Sequence, residues 1–232
     1  MIDLWGILYP RICPICKRII SDRYICRECE SSLPYIVQPR CFQCGKPVHK
    51  EEQEYCNDCK NKKHIYTKGT QPFLHVGKLK DVVYEIKYNN KREYIDFFVD
   101  AMVRCCKKEI LSWKPDILIP VPMYRKKQLR RGFNQAGVIA KRLSKPFGIP
   151  VCTDCLIRIS DTRPQKQLDD IQRKKNLENA FKIRKNIVKS KKVVIVDDIY
   201  TTGSTVDACA KVLLEAGAKE VYFVCMTIGT GY

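Results

Sequence analysis

No stretch of this sequence holds the roughly 18 consecutive apolar residues that a membrane-spanning helix needs, so no membrane insertion is expected. The first ten residues, Met1 to Pro10, are short and lack the basic start of a secretory signal, which predicts a protein of the cytoplasm. Histidine is scarce: His49, His64 and His75 are the only three, and with cysteine in good supply they read as ordinary polar residues rather than metal ligands. There is no low-complexity tract, and no repeat beyond the cysteine pairs described next.

What the chain has in excess is cysteine and positive charge. Fourteen cysteines occur in 232 residues, and eight of them form four C-x-x-C pairs before residue 60. In a reducing compartment such pairs bind metal rather than form disulfides. The formal charge is +18, which favours partners that carry phosphate. Residues 1–70 carry 12 Lys/Arg against 8 Asp/Glu, and residues 71–232 carry 31 against 17. Ligating cysteines are thiolates, so two bound Zn²⁺ would leave the N-terminal part near neutral and assign the basic character to the larger domain.

The pairs form two quartets, Cys13, Cys16, Cys26 and Cys29, then Cys41, Cys44, Cys56 and Cys59. Two residues between cysteines let both sulfurs of a knuckle turn toward one ion, and two knuckles complete a four-thiolate tetrahedron. This predicts two structural Zn²⁺ sites, closed to a catalytic water, with an iron–sulfur cluster as the minor alternative. Short loops favour the sequential pairing, and an interleaved one stays open. Cys209 and Cys225 read as buried inert thiols, and Cys152-Thr-Asp-Cys155 has no second pair nearby and is left unassigned.

Residues 1–65 hold too few apolar side chains to build a core without metal, which sets them apart as a double zinc ribbon from residues 66–232. Residues 66–77 read as a strand or linker. Leu79, Val82, Val83, Ile86 and Tyr88 form one helical stripe; Ile95, Phe98, Val99, Met102 and Val103 form another. Ile117 to Pro122 reads as a buried strand running into a loop as far as Gln135, and Ala136 to Leu143 as a helix. Lys192 to Val196 and Val221 to Met226 read as buried parallel strands, with a helix from Ser204 to Ala216 between them. Strands alternating with helices predict an α/β fold, a parallel sheet with helices on both faces.

The most informative segment follows the first of those two strands: Asp197, Asp198, Ile199, Tyr200, Thr201, Thr202, Gly203, Ser204 and Thr205. Two carboxylates stand at the carboxyl end of a buried strand, and a hydroxyl-rich loop around one glycine then opens a helix. Gly203 lets backbone approach a phosphate closely, successive N–H groups and the helix N-terminus bind a dianion, and the hydroxyls of Thr201, Thr202, Ser204 and Thr205 add donors. The stretch from Val193 to Thr205 resembles the thirteen-residue phosphoribosyl pyrophosphate (PRPP) motif of type I phosphoribosyltransferases. That resemblance implies that Asp197 and Asp198 hold the ribose 2′ and 3′ hydroxyls, that the loop holds the 5′-phosphate, and that Mg²⁺ accompanies PRPP.

Two further segments narrow the resemblance. Pro120 to Ala136, with Arg130-Arg131-Gly-Phe-Asn-Gln-Ala, resembles the P-V-P…R-G-F-N-Q-A signature of the ComF/ComFC family, and Thr162 to Phe181 resembles that family's T-x-x-Q…L…R…N…A-F stretch. With the double ribbon, the likeness spans nearly the whole chain. It implies a factor of natural competence that binds PRPP and single-stranded DNA, with a competence helicase or other competence proteins as partners. Arg125, Arg130 and Arg131 are candidates for pyrophosphate or a nucleic-acid backbone, Tyr124 and Phe133 for base stacking, and residues 158–178 for a flap. Two alternatives stand beside this reading: a phosphoribosyltransferase with an unidentified acceptor, and a non-enzymatic PRPP sensor. No catalytic residue is assigned. Salvage enzymes of this fold add a hood that reads the base; only residues 66–78 or 150–180 remain to supply one, which weighs against nucleobase salvage.

Overall fold

The structure, a computed structural model, describes residues 10–21, 23–161, 179–185 and 187–230. The proposed flap from residue 162 to 178, with Lys166, Arg173, Lys174 and Lys175, lies outside the described residues.

The first ribbon consists of the antiparallel pair β1 (Arg11–Ile12) and β2 (Ile19–Ile20), followed by the one-turn helix α1 (Arg27–Ser31). The second repeats the plan, with an antiparallel bridge between Arg40 and Pro47 and the short helix α2 (Asn57–Asn61). In each ribbon the third cysteine, Cys26 or Cys56, caps the helix and the fourth lies within it.

Residues 66–77 are not a free linker. They supply β3 (Lys68–Thr70) and β4 (Phe73–Leu74), which pair one after the other along the same side of the last strand, β9 (Glu220–Ile228). The helices α3 (Lys78–Tyr88) and α4 (Tyr94–Ser112) follow. Next come the strand β5 (Ile117–Pro120) and the helices α5 (Arg125–Arg131) and α6 (Gln135–Phe147). A separate hairpin, β6 (Leu156–Arg158) with β7 (Phe181–Ile183), precedes β8 (Lys192–Tyr200) and α7 (Ser204–Glu215). The main sheet is parallel in the order β3-β9-β8-β5, as the alternation of strands and helices predicts.

Alternation along β8 builds two cores. Val194 and Val196 face α3, α4 and α6, together with Cys13 and Cys29 of the first ribbon. Val193 and Ile195 face α7, with Cys41, Cys44 and Cys56 of the second ribbon. The two ribbons therefore pack on opposite faces of one sheet, around the β3/β4 edge. On the first face Tyr35 packs against Phe73, with ring centroids 4.6 Å apart, and Arg104 pairs with Glu30 at 2.9 Å. On the second, Gly69 accepts close contact from the Phe223 ring, which a Cβ there would meet at 1.9 Å, and Tyr200 stacks on Phe223 at 4.7 Å.

Three local expectations need correction. Tyr88 leaves the buried stripe of α3 and is 61% exposed, because it falls in the last turn, past the covered face. The segment read as a loop from Pro120 to Gln135 contains α5, which ends at Gly132 in the left-handed conformation, φ 81°. Phe133 is buried, with the Arg92 guanidinium 4.3 Å from its ring centroid, so it offers no face for stacking a base.

Candidate functional site

The site lies where the strand connections diverge. From β5 the chain runs through α6 to Val151, which bridges Leu118 at the outer edge; from β8 it runs through α7 to β9 on the other side. Ligands of open α/β sheets bind at such a point, outside the carboxyl ends of the strands. Pro120 pairs with Val196 and β5 stops there, whereas β8 continues to Tyr200 paired with β9 alone. The β5 side of residues 197–200 is thereby left open.

Because side chains alternate along a strand, Asp197 and Asp198 meet different surroundings. Asp198 lies on the α3 side: Lys87 Nζ is 2.7 Å from its Oδ2, and Gln135 Nε2 of α6 donates to the same oxygen at 3.5 Å. Burial raises the Asp198 pKa, but Lys87 and the Ile199 N–H donated to Oδ1 at 2.8 Å outweigh it and hold the carboxyl below the usual aspartate range. Asp197 lies on the other side of the sheet and is pushed well above that range, first by burial and then by the Asp198 charge. Its Oδ1 accepts the Asp198 N–H at 2.8 Å. The two adjacent carboxylates at the strand end are thus held in different environments, one facing Lys87 and Gln135 and the other turned to the opposite side of the sheet.

The loop Thr201–Thr205 turns directly into α7. Gly203 is its pivot, at φ 78°, and a Cβ there would meet Tyr200 Oη at 2.5 Å and His64 Cε1 at 2.7 Å. Thr202 Oγ1 and Ser204 Oγ lie 3.1 Å apart. The second ribbon braces this turn. His64 Nδ1 lies 2.8 Å from Asp207 Oδ2 in the first turn of α7, and the Ile65 N–H donates to Asp207 Oδ1 at 3.0 Å. His64, read as an ordinary polar residue, is a buried bridge between the second ribbon and the start of α7.

The basic residues Arg125, Arg130 and Arg131 lie on α5, which follows β5 and carries no acidic residue in its first turn. Arg125 and Arg130 are exposed, and the Arg131 guanidinium lies 5.3 Å from the Tyr88 ring centroid. Tyr88 and Tyr84 form an exposed aromatic pair, with centroids 4.7 Å apart and 61% and 55% exposed. Sequence reasoning did not place Lys87, Tyr84 or Tyr88 beside Asp198 and α5. The signal was slight, a lysine and one tyrosine outside the apolar stripe of α3, with Tyr88 counted inside it.

Each cysteine quartet converges, with all four sulfurs within 4.8 Å of one another, in the sequential pairing. Cys13 and Cys26 sulfurs lie 3.8 Å apart, Cys16 and Cys26 3.7 Å, and Cys44 and Cys56 3.6 Å. A tetrahedral shell with Zn–S bonds of about 2.3 Å puts sulfurs roughly 3.8 Å apart, so both donor sets fit structural zinc. Among the described residues no third metal cluster forms; the Cys155 thiol donates to the Lys185 carbonyl, and Cys209 and Cys225 are fully buried.

Ribbon, sheet and site together define a phosphoribosyltransferase-type domain carrying two zinc ribbons. Family models agree: the double zinc ribbon domain matches residues 4–60, and the phosphoribosyl transferase domain matches residues 98–227. The second match covers more than half of the sequence, and the chain belongs to that family. Its relatives define the branch and bear out the ComF/ComFC resemblance. It is 29% identical over 212 residues to Competence protein F of Haemophilus influenzae, covering 87% of this chain and 89% of that one. It is 28% identical over 226 residues to DNA utilization protein YhgH of Escherichia coli K12, covering 94% and 96%. It is 27% identical over 206 residues to Competence protein ComFC of Bacillus subtilis, covering 84% and 80%.

Proposed function

We propose that the protein binds PRPP at Asp197, Asp198 and the loop Thr201–Thr205, binds single-stranded DNA beside that site, and acts in natural competence in the cytoplasm. The observation that carries the PRPP reading is the open end of β8, where two adjacent carboxylates, one paired with Lys87 at 2.7 Å, precede a glycine-pivoted hydroxyl loop at a helix N-terminus. The loop donors suit a 5′-phosphate, and the carboxylates suit vicinal ribose hydroxyls. Mg²⁺ would arrive on the ligand's phosphates and keep waters that the two carboxylates can accept from. Lys87, paired with Asp198 at 2.7 Å, would be released when a hydroxyl or a hydrated ion takes its place and could then pair with a ligand phosphate. Isothermal titration of Mg²⁺–PRPP into zinc-loaded protein tests the reading; a folded protein that takes up no PRPP overturns it.

The DNA reading rests on the exposed Tyr84–Tyr88 pair beside the cationic helix α5, since single strands are held by stacked aromatics and backbone-tracking cations. Replacing both tyrosines by alanine is expected to weaken single-stranded DNA binding by about tenfold or more, because stacking contributes about 1–3 kcal/mol per base. PRPP affinity should stay within twofold. Fluorescence anisotropy across a salt series checks both arms, and binding that ignores salt and both tyrosines removes the DNA reading.

Phosphoribosyl transfer to an acceptor is the second reading. In its favour is a cleft of about 510 Å³ against the β5 end, lined by Met123, Arg125, Gln128, Asn134, Arg158 and Arg184 among others. It offers an acceptor both apolar walls and cations. Release of pyrophosphate from PRPP in an acceptor screen tests it.

A further inference from the structure

Three residues beyond the last zinc ligand, Cys59, the second ribbon sends Lys62 into the loop that opens α7. The Lys62 ammonium donates to the Thr202 carbonyl at 3.3 Å and to Ser204 Oγ at 3.2 Å. Both acceptors are neutral, and among the described residues no carboxylate pairs with Lys62. A half-buried ammonium without a counter-charge favours an anion beside it. The nearby acid of α7, Asp207, is already held by His64 and the Ile65 N–H. The same two contacts hold His64 and Ile65, two and three residues after the lysine, against the helix start.

We propose that Lys62 is a phosphate-binding residue of the site, supplied by the zinc ribbon. The inference rests on the PRPP reading above and deepens it: the loop contributes amides and hydroxyls, and Lys62 contributes the cation that neutralises the 5′-phosphate. Within the described residues of the loop itself, Thr201 to Thr205, there is no cation. The second ribbon is then part of the ligand site, not a separate appendage.

The test is calorimetric titration of wild type, Lys62→Met and Lys62→Arg with three probes: Mg²⁺–PRPP, ribose 5-phosphate and Mg²⁺–pyrophosphate. Zinc content and thermal midpoint are measured alongside. Lys62→Met is expected to lose about tenfold in affinity for PRPP and ribose 5-phosphate, in line with a charge-assisted hydrogen bond. It should lose nothing for pyrophosphate and keep both zinc ions, and Lys62→Arg should recover most of the loss. Wild-type binding of PRPP with Lys62→Met binding both ribose phosphates equally well overturns the assignment. So does loss of zinc from both variants, or an equal loss for pyrophosphate, either of which makes Lys62 a structural residue. Wild type that binds neither ribose phosphate fails the PRPP reading itself, and the assignment falls with it.

Discussion

An Asp197→Asn/Asp198→Asn double variant is expected to lose at least about a hundredfold in PRPP affinity while keeping its fold and both zinc ions. Each carboxylate accepts charge-assisted hydrogen bonds of about 1.5–3 kcal/mol, and about 1.4 kcal/mol is a factor of ten. The single variants separate binding from stability. The folded-state pKa of Asp197 lies above its unfolded value, so its contribution to stability is present in acid and is lost as pH rises through the folded value. Near neutrality the carboxylate is therefore a cost, and Asp197→Asn should raise the thermal midpoint. Asp198 has the opposite sign: its pKa is lowered, its pairing with Lys87 contributes at neutral pH, and that contribution fades as pH falls through the folded value. Asp198→Asn leaves Lys87 without its ion pair and should lower the midpoint. Scanning calorimetry of both variants between about pH 2 and pH 8, beside PRPP titration, reads all three effects, with the Asp198 contribution fading below about pH 4. Midpoints that move together, or PRPP binding that survives the double substitution, would contradict the site.

The second large effect concerns zinc. A structural Zn²⁺ contributes about 10–16 kcal/mol in zinc-finger peptides, comparable with the whole stability of a domain, about 5–15 kcal/mol. Cys44 is buried in the core that also holds Tyr66, Tyr200 and Phe223. Cys44→Ser should therefore release one zinc, lower the thermal midpoint by about 10 °C or more, and weaken PRPP binding, because Lys62, His64 and Ile65 no longer brace residues 202–207. Cys16→Ser in the first ribbon should also release one zinc, but its ribbon packs on α4, away from the loop Thr201–Thr205, and PRPP affinity should fall much less. Zinc assay, thermal melts and titration of the two variants side by side check this. Equal effects on PRPP would show that the second ribbon has no special tie to the site.

Both zinc quartets were legible because C-x-x-C spacing acts locally: two intervening residues bring a pair of sulfurs onto one ion whatever surrounds them. Sequence pattern left their pairing open, since an interleaved arrangement has the same spacings. The stretch from Val193 to Thr205 was legible for a similar reason. A β-branched run, two acids, a glycine and a helix start lie within 13 consecutive residues, so their relative placement follows from backbone geometry. Even there the strand ran four residues further than expected, to Tyr200, because β9 supplied a partner that a local reading does not see.

Chain-distant neighbours set the rest. Lys87 meets Asp198 across 111 positions of sequence, and Lys62 meets Ser204 across 142. No periodicity records such meetings, because they depend on how α3 and the second ribbon dock on the sheet. Phe133 and Tyr88 make the same point in opposite directions: the aromatic inside the family-like signature is buried under Arg92, and the one in a predicted core stripe is exposed beside Arg131. The sequence by itself determined two zinc-binding quartets, a parallel α/β sheet and an acidic strand end before a phosphate-type loop, all of them properties of short segments. Only the tertiary structure decided that the ribbons take opposite faces of that sheet, and that one of them reaches the loop, because burial and long-range contact depend on the packing of the whole chain.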